Sequence, residues 1–167
     1  MPLRMVALRA SVEEKQKEDS MATIIANGCF DIFHDGHIRF LQRAKFLGVS
    51  KKAPFSEGTK RNRLIVAVNS DESAKRLKAE KWGEKYPIDS LETRMQNVAR
   101  YADEVVSFET EEQLTEFIEW NMPCIIIKGP DYEGRVVTGD QLAPVLILDT
   151  PEPAAVKEMK KRRYELA

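Results

Sequence analysis

From Thr23 onward, short apolar runs alternate with segments whose apolar residues recur at helical spacing. The runs predict strands at Thr23–Asn27, Leu64–Asn69, Glu104–Phe108, Cys124–Lys128 and Val145–Leu148. Leu64-Ile65-Val66-Ala67-Val68 and Cys124-Ile125-Ile126-Ile127 are apolar without alternation, the pattern of strands buried on both faces of a parallel sheet. Between the strands the helical period predicts Asp35–Leu47, Asp71–Lys78, Ser90–Tyr101 and Glu111–Asn121, with a last helix near Pro153–Tyr164. Ser90-Leu91-Glu92-Thr93 and Thr110-Glu111-Glu112-Gln113 both read as capping-box starts, and Pro123 stops the fourth helix. Such alternation implies right-handed crossovers, so the expected fold is a three-layer α/β/α open sheet of about five parallel strands. Ligands of such sheets bind beyond the carboxyl ends of the strands, where the strand order reverses.

Size and charge narrow the function classes. At 167 residues the chain is expected to form one domain over 21–167, preceded by a charged extension at 1–20 too poor in apolar residues to hold a fixed structure. A formal net charge of −1 gives no general attraction to nucleic acid or membrane, so anion binding must come from local arrangement. No apolar run approaches the ~18–20 residues that span a bilayer, and the N-terminus has no secretory core, so the expected location is cytoplasmic. Lys51, Lys52, Lys60 and Arg61 make the Pro- and Gly-containing segment 50–62 a basic loop, expected to be exposed. The two cysteines, Cys29 and Cys124, form neither a disulfide framework nor a metal-binding spacing, and read best as small, semi-apolar residues.

The chemistry concentrates after the first strand, in Asn27-Gly28-Cys29-Phe30-Asp31-Ile32-Phe33-His34-Asp35-Gly36-His37. A glycine loop there opens a helix, whose first N–H groups are expected to point outward unpaired and to favour an anion. His34 and His37 admit three readings: structural residues, zinc ligands at i and i+3, or groups that contact phosphate. Zinc requires further ligands, and the chain has no other histidine. A glycine-flanked turn suits phosphate contact better than an apolar core does, and Gly36 lets backbone approach an anion closely. Lys45, eight residues beyond His37, is a candidate to fold back toward that anion, with a solvent-facing lysine as the alternative. Asn69-Ser70-Asp71 and Lys128-Gly129-Pro130-Asp131-Tyr132 follow the second and fourth strands, where nucleotide sites place polar and glycine residues, as do ordinary turns.

Gly28-Cys29-Phe30-Asp31 followed by His34-Asp35-Gly36-His37 resembles the opening of the cytidylyltransferase-like nucleotidyltransferases, with their H-x-G-H signature. The likeness runs from about Ile24 to Leu148, and implies a Rossmann-like nucleotidyltransferase fold. Val68-Asn69-Ser70-Asp71, Arg76-Leu77-Lys78, Pro87 to Arg94-Met95, and Lys128-Gly129 with Asp131-Tyr132 lean towards the heptose 1-phosphate adenylyltransferases. Glycerol-3-phosphate cytidylyltransferase is a near relative. The resemblance implies that a substrate phosphate attacks the α-phosphorus of ATP or CTP and releases pyrophosphate, the acceptor being a phosphorylated sugar or polyol. It assigns the α/β phosphates to His34 and His37 and the triphosphate to Lys45. Gly28 and Phe30 would contact the triphosphate or nucleoside through backbone, Arg94, Lys128 and Asp131 would line the nucleotide side with Asp71 nearby, and Cys29, Asp31, Gly36 and Gly129 would also bind the nucleotide. Mg2+ would accompany the triphosphate, and relatives that are often dimers or larger imply a homo-oligomer.

The chain departs from that family at its close. The Ile-Ser-Thr-Thr motif that opens the last helix is absent; Leu148-Asp149-Thr150-Pro151-Glu152-Pro153-Ala154 stands in its place. Thr150 is the candidate helix cap there, and Glu152 is expected to repel a phosphate. Tyr86 replaces the arginine expected before Pro87. A relative that binds nucleotide without turning it over is therefore the alternative reading.

Overall fold

Five all-parallel strands, β1 (Thr23–Gly28), β2 (Arg63–Asn69), β3 (Glu104–Phe108), β4 (Ile125–Lys128) and β5 (Val145–Ile147), lie in the order β3-β2-β1-β4-β5. This computed structural model describes residues 22–47, 62–150 and 152–166. The expectations for the 1–20 extension and for the 50–62 loop, apart from Asn62, lie outside the described residues. Asn62 is buried rather than exposed: its side-chain amide donates to the Ala44 and Leu47 carbonyls, closing the end of the first helix.

The order reverses at β1, where Ile25 pairs with Ile65 on one side and Ile126 on the other. That reversal opens the crevice in which ligands of open parallel sheets sit. The sequence placed every strand within one residue of its observed ends. The helices are α1 (Asp35–Phe46), α2 (Asp71–Trp82), α3 (Leu91–Ala99), α4 (Glu111–Asn121) and α5 (Ala154–Leu166).

Side-chain alternation along the strands builds two cores. Ile24, Ala26, Leu64, Val66, Val68, Ile125 and Ile127 pack beneath Phe40 and Leu41 of α1 and Val98 of α3. Ile25, Ile65, Ala67 and Ile126 face the other way, towards Leu114 and Ile118 of α4. Leu64 through Val68 are fully buried, as expected of a strand covered on both faces. A third cluster of Cys29, Ile32, Ala74, Tyr86 and Tyr164 joins the β1–α1 loop to α2 and α5.

Three local expectations change. Helix α2 runs a turn beyond Lys78, because Trp82 is anchored 4.8 Å from the Tyr164 ring, and Gly83 then ends it with φ +90°. Thr110 forms a complete capping box with Gln113, whereas Ser90 makes only a single cap, since its third position holds Thr93. Thr150 does not cap α5: the helix opens at Ala154, and Pro153 supplies the first carbonyl acceptor.

Candidate active site

The two histidines cap their own helix. The Nδ1 of His34, at the N-cap of α1, accepts the Gly36 N–H at 3.0 Å, while the Nδ1 of His37 accepts the His34 N–H at 3.3 Å. This is a capping box in which imidazole nitrogens replace the usual hydroxyl and carboxamide. The helix-start amides are therefore partly covered, not bare as the sequence suggested. Because both Nδ1 atoms accept, neutral rings carry their protons on Nε2. Gly36 is required by the same geometry, since a Cβ there would lie 2.7 Å from the His34 ring.

The rings are tightly placed. His37 stacks on His34 at 3.9 Å and on Phe33 at 5.3 Å, with the edge of Phe30 against it at 5.4 Å. Burial, then the neighbouring His34, Lys160 and Lys78, hold His37 well below the usual imidazole range. Burial and Lys160 lower His34 as well, against the opposing pull of Glu152. Both rings are thus neutral donors at neutral pH. His34 Nε2 faces Glu152 Oε1 at 3.0 Å, an imidazole–carboxylate contact.

The loop feeding these rings is strained and latched. Phe30 and Ile32 have φ of 55° and 46°, uncommon for bulky side chains, and both are buried. Asp31 is buried and accepts the Ile88 and Asp89 N–H groups at 2.9 and 2.8 Å and the Tyr164 hydroxyl at 2.9 Å. Asp89 returns the contact by accepting the Ile32 N–H at 3.1 Å. Arg94 is fully buried and donates to the carbonyls of Cys29, Asn69 and Asp89 and, at 2.6 Å, to Asp71. Asp31 and Arg94 tie the ends of β1 and β2 to the α2–α3 connection, and their polar atoms are engaged by protein.

On the opposite face of the sheet, Asn27, Asn69, Phe108, Lys128 and Tyr132 help to line a cavity of about 260 Å³. Lys128 is buried; its Nζ donates to the Asn27 carbonyl at 3.1 Å and lies 3.8 Å from the centre of the Tyr132 ring, with Glu111 lining the same cavity. Burial pulls its ammonium down to about 8. Among the described residues, the buried Asn27 Oδ1 lacks a hydrogen-bond partner, while His34 Nε2 meets the Glu152 carboxylate. Both stand where β1 gives way to α1. Gly129 follows β4 with open space beside it among the described residues, and Asp131 is exposed on a 3-10 turn. A larger groove of about 380 Å³ between α2 and the start of α4 is lined by Arg76 together with Glu109, Glu111 and Glu112, so carboxylates outnumber the one arginine there.

Of the residues singled out in the sequence, His34, His37 and Gly36 form the cap. Gly28, Cys29, Phe30 and Asp31 form the loop, and Asp71, Arg94, Lys128 and Gly129 gather at neighbouring strand ends. Lys45 is not brought there. It lies in the last turn of α1, 3.7 Å from Asp103 at the amino end of the sheet, where a lysine stem cannot span the helix length back to the cap. Sequence reasoning missed Asn27, Asp89, Lys160 and Tyr164, whose relevance arises only from contacts distant in the chain.

A parallel sheet with polar groups converging on its switch point, beside an H-x-G-H helix start, defines the nucleotidyltransferase class. The cytidylyltransferase-like family model matches residues 25–140, and the chain belongs to that family. It is 39% identical over 135 residues to the bifunctional protein HldE of Actinobacillus pleuropneumoniae serotype 5b (strain L20), covering 80% of this chain and 24% of that protein. It is 42% identical over 120 residues to HldE of Haemophilus influenzae (strain PittEE), covering 71% and 21%. The chain thus spans about a quarter of the length of these curated relatives. A solved lipopolysaccharide core biosynthesis protein from Thermoplasma volcanium GSS1 shares the fold, with TM-score 0.52 and 20% identity over 79% of this chain and 99% of that one.

Proposed function

We propose that the chain transfers a nucleoside monophosphate from ATP or CTP to a sugar phosphate of the heptose 1-phosphate kind. The observation that carries this is the pair of capped imidazoles at the H-x-G-H helix start, whose Nδ1 atoms are spent on backbone and whose Nε2 atoms are left to face a ligand. Buried polar groups are almost always satisfied, so the orphaned Asn27 Oδ1 at the end of β1 also favours a ligand. The family membership and the heptose-branch motifs supply the substrate class.

In the reaction, an acceptor phosphate oxygen forms a bond to the α-phosphorus. The bond from that phosphorus to the α–β bridging oxygen breaks, and its electron pair leaves on pyrophosphate. No covalent enzyme intermediate is needed, so catalysis is positioning and charge stabilisation. His34 and His37 donate through Nε2 to phosphate oxygens as negative charge builds on the leaving group. The cap fixes both rings before substrate arrives, and Lys78 and Lys128 add positive charge along the crevice. Among the described residues no three His, Cys, Asp or Glu side chains gather as a metal cage. Mg2+ would therefore be held chiefly by the phosphates and its own waters, lowering their charge.

Pyrophosphate release, measured with four nucleoside triphosphates against heptose 1-phosphate, glycerol 3-phosphate and other phosphorylated sugars, tests the reading. ATP with the heptose phosphate is expected to be the best pair; CTP with glycerol 3-phosphate would indicate the cytidylyltransferase alternative. His34→Ala or His37→Ala should lower turnover by roughly 10²–10³-fold, the scale of one lost transition-state donor. The close approach of Glu152 to His34 favours a second reading, a relative that binds nucleotide without turnover. Triphosphate binding with no product from any pair would select it.

A further inference from the structure

Glu152 does not stand alone beside the capped histidine. Its Oε1 is approached by Lys160 Nζ at 2.7 Å and by His34 Nε2 at 3.0 Å. An oxygen held between an ammonium and an imidazole has the surroundings of a bound phosphate oxygen. All three side chains are largely shielded from solvent, with 22% of Glu152, 14% of Lys160 and 9% of His34 exposed. Lys160 lies 5.8 Å from the centre of the Trp82 ring, and its charge is felt at both His34 and His37.

Two ordinary explanations for this carboxylate fall short. It is not needed to set the His34 tautomer, which the Nδ1 cap already fixes. Nor is the Glu152–Lys160 pair needed to fasten α5, because Tyr164 bonds to Asp31 and packs against Trp82 and Tyr86. A single carboxylate is also the weaker anion: a triphosphate brings more charge and more acceptor oxygens to the same donors.

We propose that Lys160 is a phosphate-binding residue of this site and that Glu152 is its resident counter-ion, displaced when the triphosphate enters. This rests on the nucleotidyl-transfer reading, and it changes the meaning of the missing Ser/Thr motif. The last helix still supplies a phosphate donor, but as an ammonium from its second turn instead of hydroxyls at its start. Exchange requires only that the Glu152 side chain turn away; the loop and the capped rings stay in place.

The probe is inorganic pyrophosphate, titrated calorimetrically into the protein with Mg2+ present. Glu152→Gln keeps the shape and removes the competing charge, and should tighten binding about tenfold; Lys160→Met should weaken it about tenfold or more, and Lys160→Arg should restore most of the loss. The opposite signs are the signature, because a purely structural ion pair would suffer alike from the loss of either member. Unchanged affinity in both variants, or weakening in both, overturns the inference. Thermal melts identify any variant that misfolds, and the Lys160→Arg and Lys160→Gln pair then carries the same comparison. Turnover is measured separately. Affinities that follow this pattern without product from any nucleotide and acceptor would sink nucleotidyl transfer while leaving the anion site standing.

Discussion

Lys128 is a charge the fold holds at a cost. Its ammonium is buried with one carbonyl and one ring as neighbours, and its pKa falls from 10.5 to about 8. Between those values the unfolded chain binds the extra proton, so this group's contribution to stability rises with pH from 8 towards 10.5. Below 8 both states are charged and the burial cost is present in full. Lys128→Met should therefore unfold less readily than the wild type at pH 7, by at most about 3 kcal/mol, with the gap closing towards pH 10. Urea titrations of both proteins at three pH values check this; a constant gap would mean that Lys128 is not the titrating group. A residue kept at such cost in a crevice is a candidate for ligand contact, and Asn27 Oδ1 close by adds an acceptor.

At the scale of elements, the H-x-G-H motif is a helix start as much as a site. The histidines satisfy backbone donors through Nδ1 and leave Nε2 for a ligand, so one pair of residues both fixes and uses the geometry. The two roles can be separated. Asparagine is a good N-cap but has no group at the Nε2 position, so His34→Asn should retain stability while losing turnover. His34→Ala should lose both, the missing cap costing about 0.5–2 kcal/mol. Paired melts and pyrophosphate-release rates decide the matter: equal destabilisation by the two substitutions would show that the imidazole cap does not hold α1.

Across the whole molecule, the site is assembled from segments far apart in the chain. Tyr164 of α5 reaches Asp31 of the first loop, and the same carboxylate grips the backbone at Ile88 and Asp89. Arg94 joins the ends of β1 and β2 to Asp71. These ties hold Phe30 and Ile32 at positive φ and bring Glu152 and Lys160 over the histidines. Tyr164→Phe removes a hydrogen bond to a buried carboxylate, a loss of about 1.5–3 kcal/mol. Because Trp82 packs on that ring, unfolding followed by tryptophan fluorescence should report the loss directly; an unchanged midpoint would mean that α5 is held by packing alone.

What the sequence by itself determined was whatever depends on neighbours along the chain. Unalternating apolar runs specify strands buried on both faces, and the helical period with the Thr110 cap specifies α4 to the residue. The H-x-G-H spacing sets two imidazoles at one helix start. These are local consequences of backbone geometry and of water's exclusion from apolar side chains, so a one-dimensional pattern carries them. The tertiary structure alone decided which candidates share a site. Lys45 lies on the histidines' own helix but at the wrong pole of the sheet, whereas Lys160, more than a hundred residues away in sequence, lies beside them. Asp31 and Arg94 carry the residue types of a ligand site, yet the fold surrounds both with protein partners. Proximity between distant segments, and the burial that makes a polar atom an orphan or a tie, arise only when layers pack.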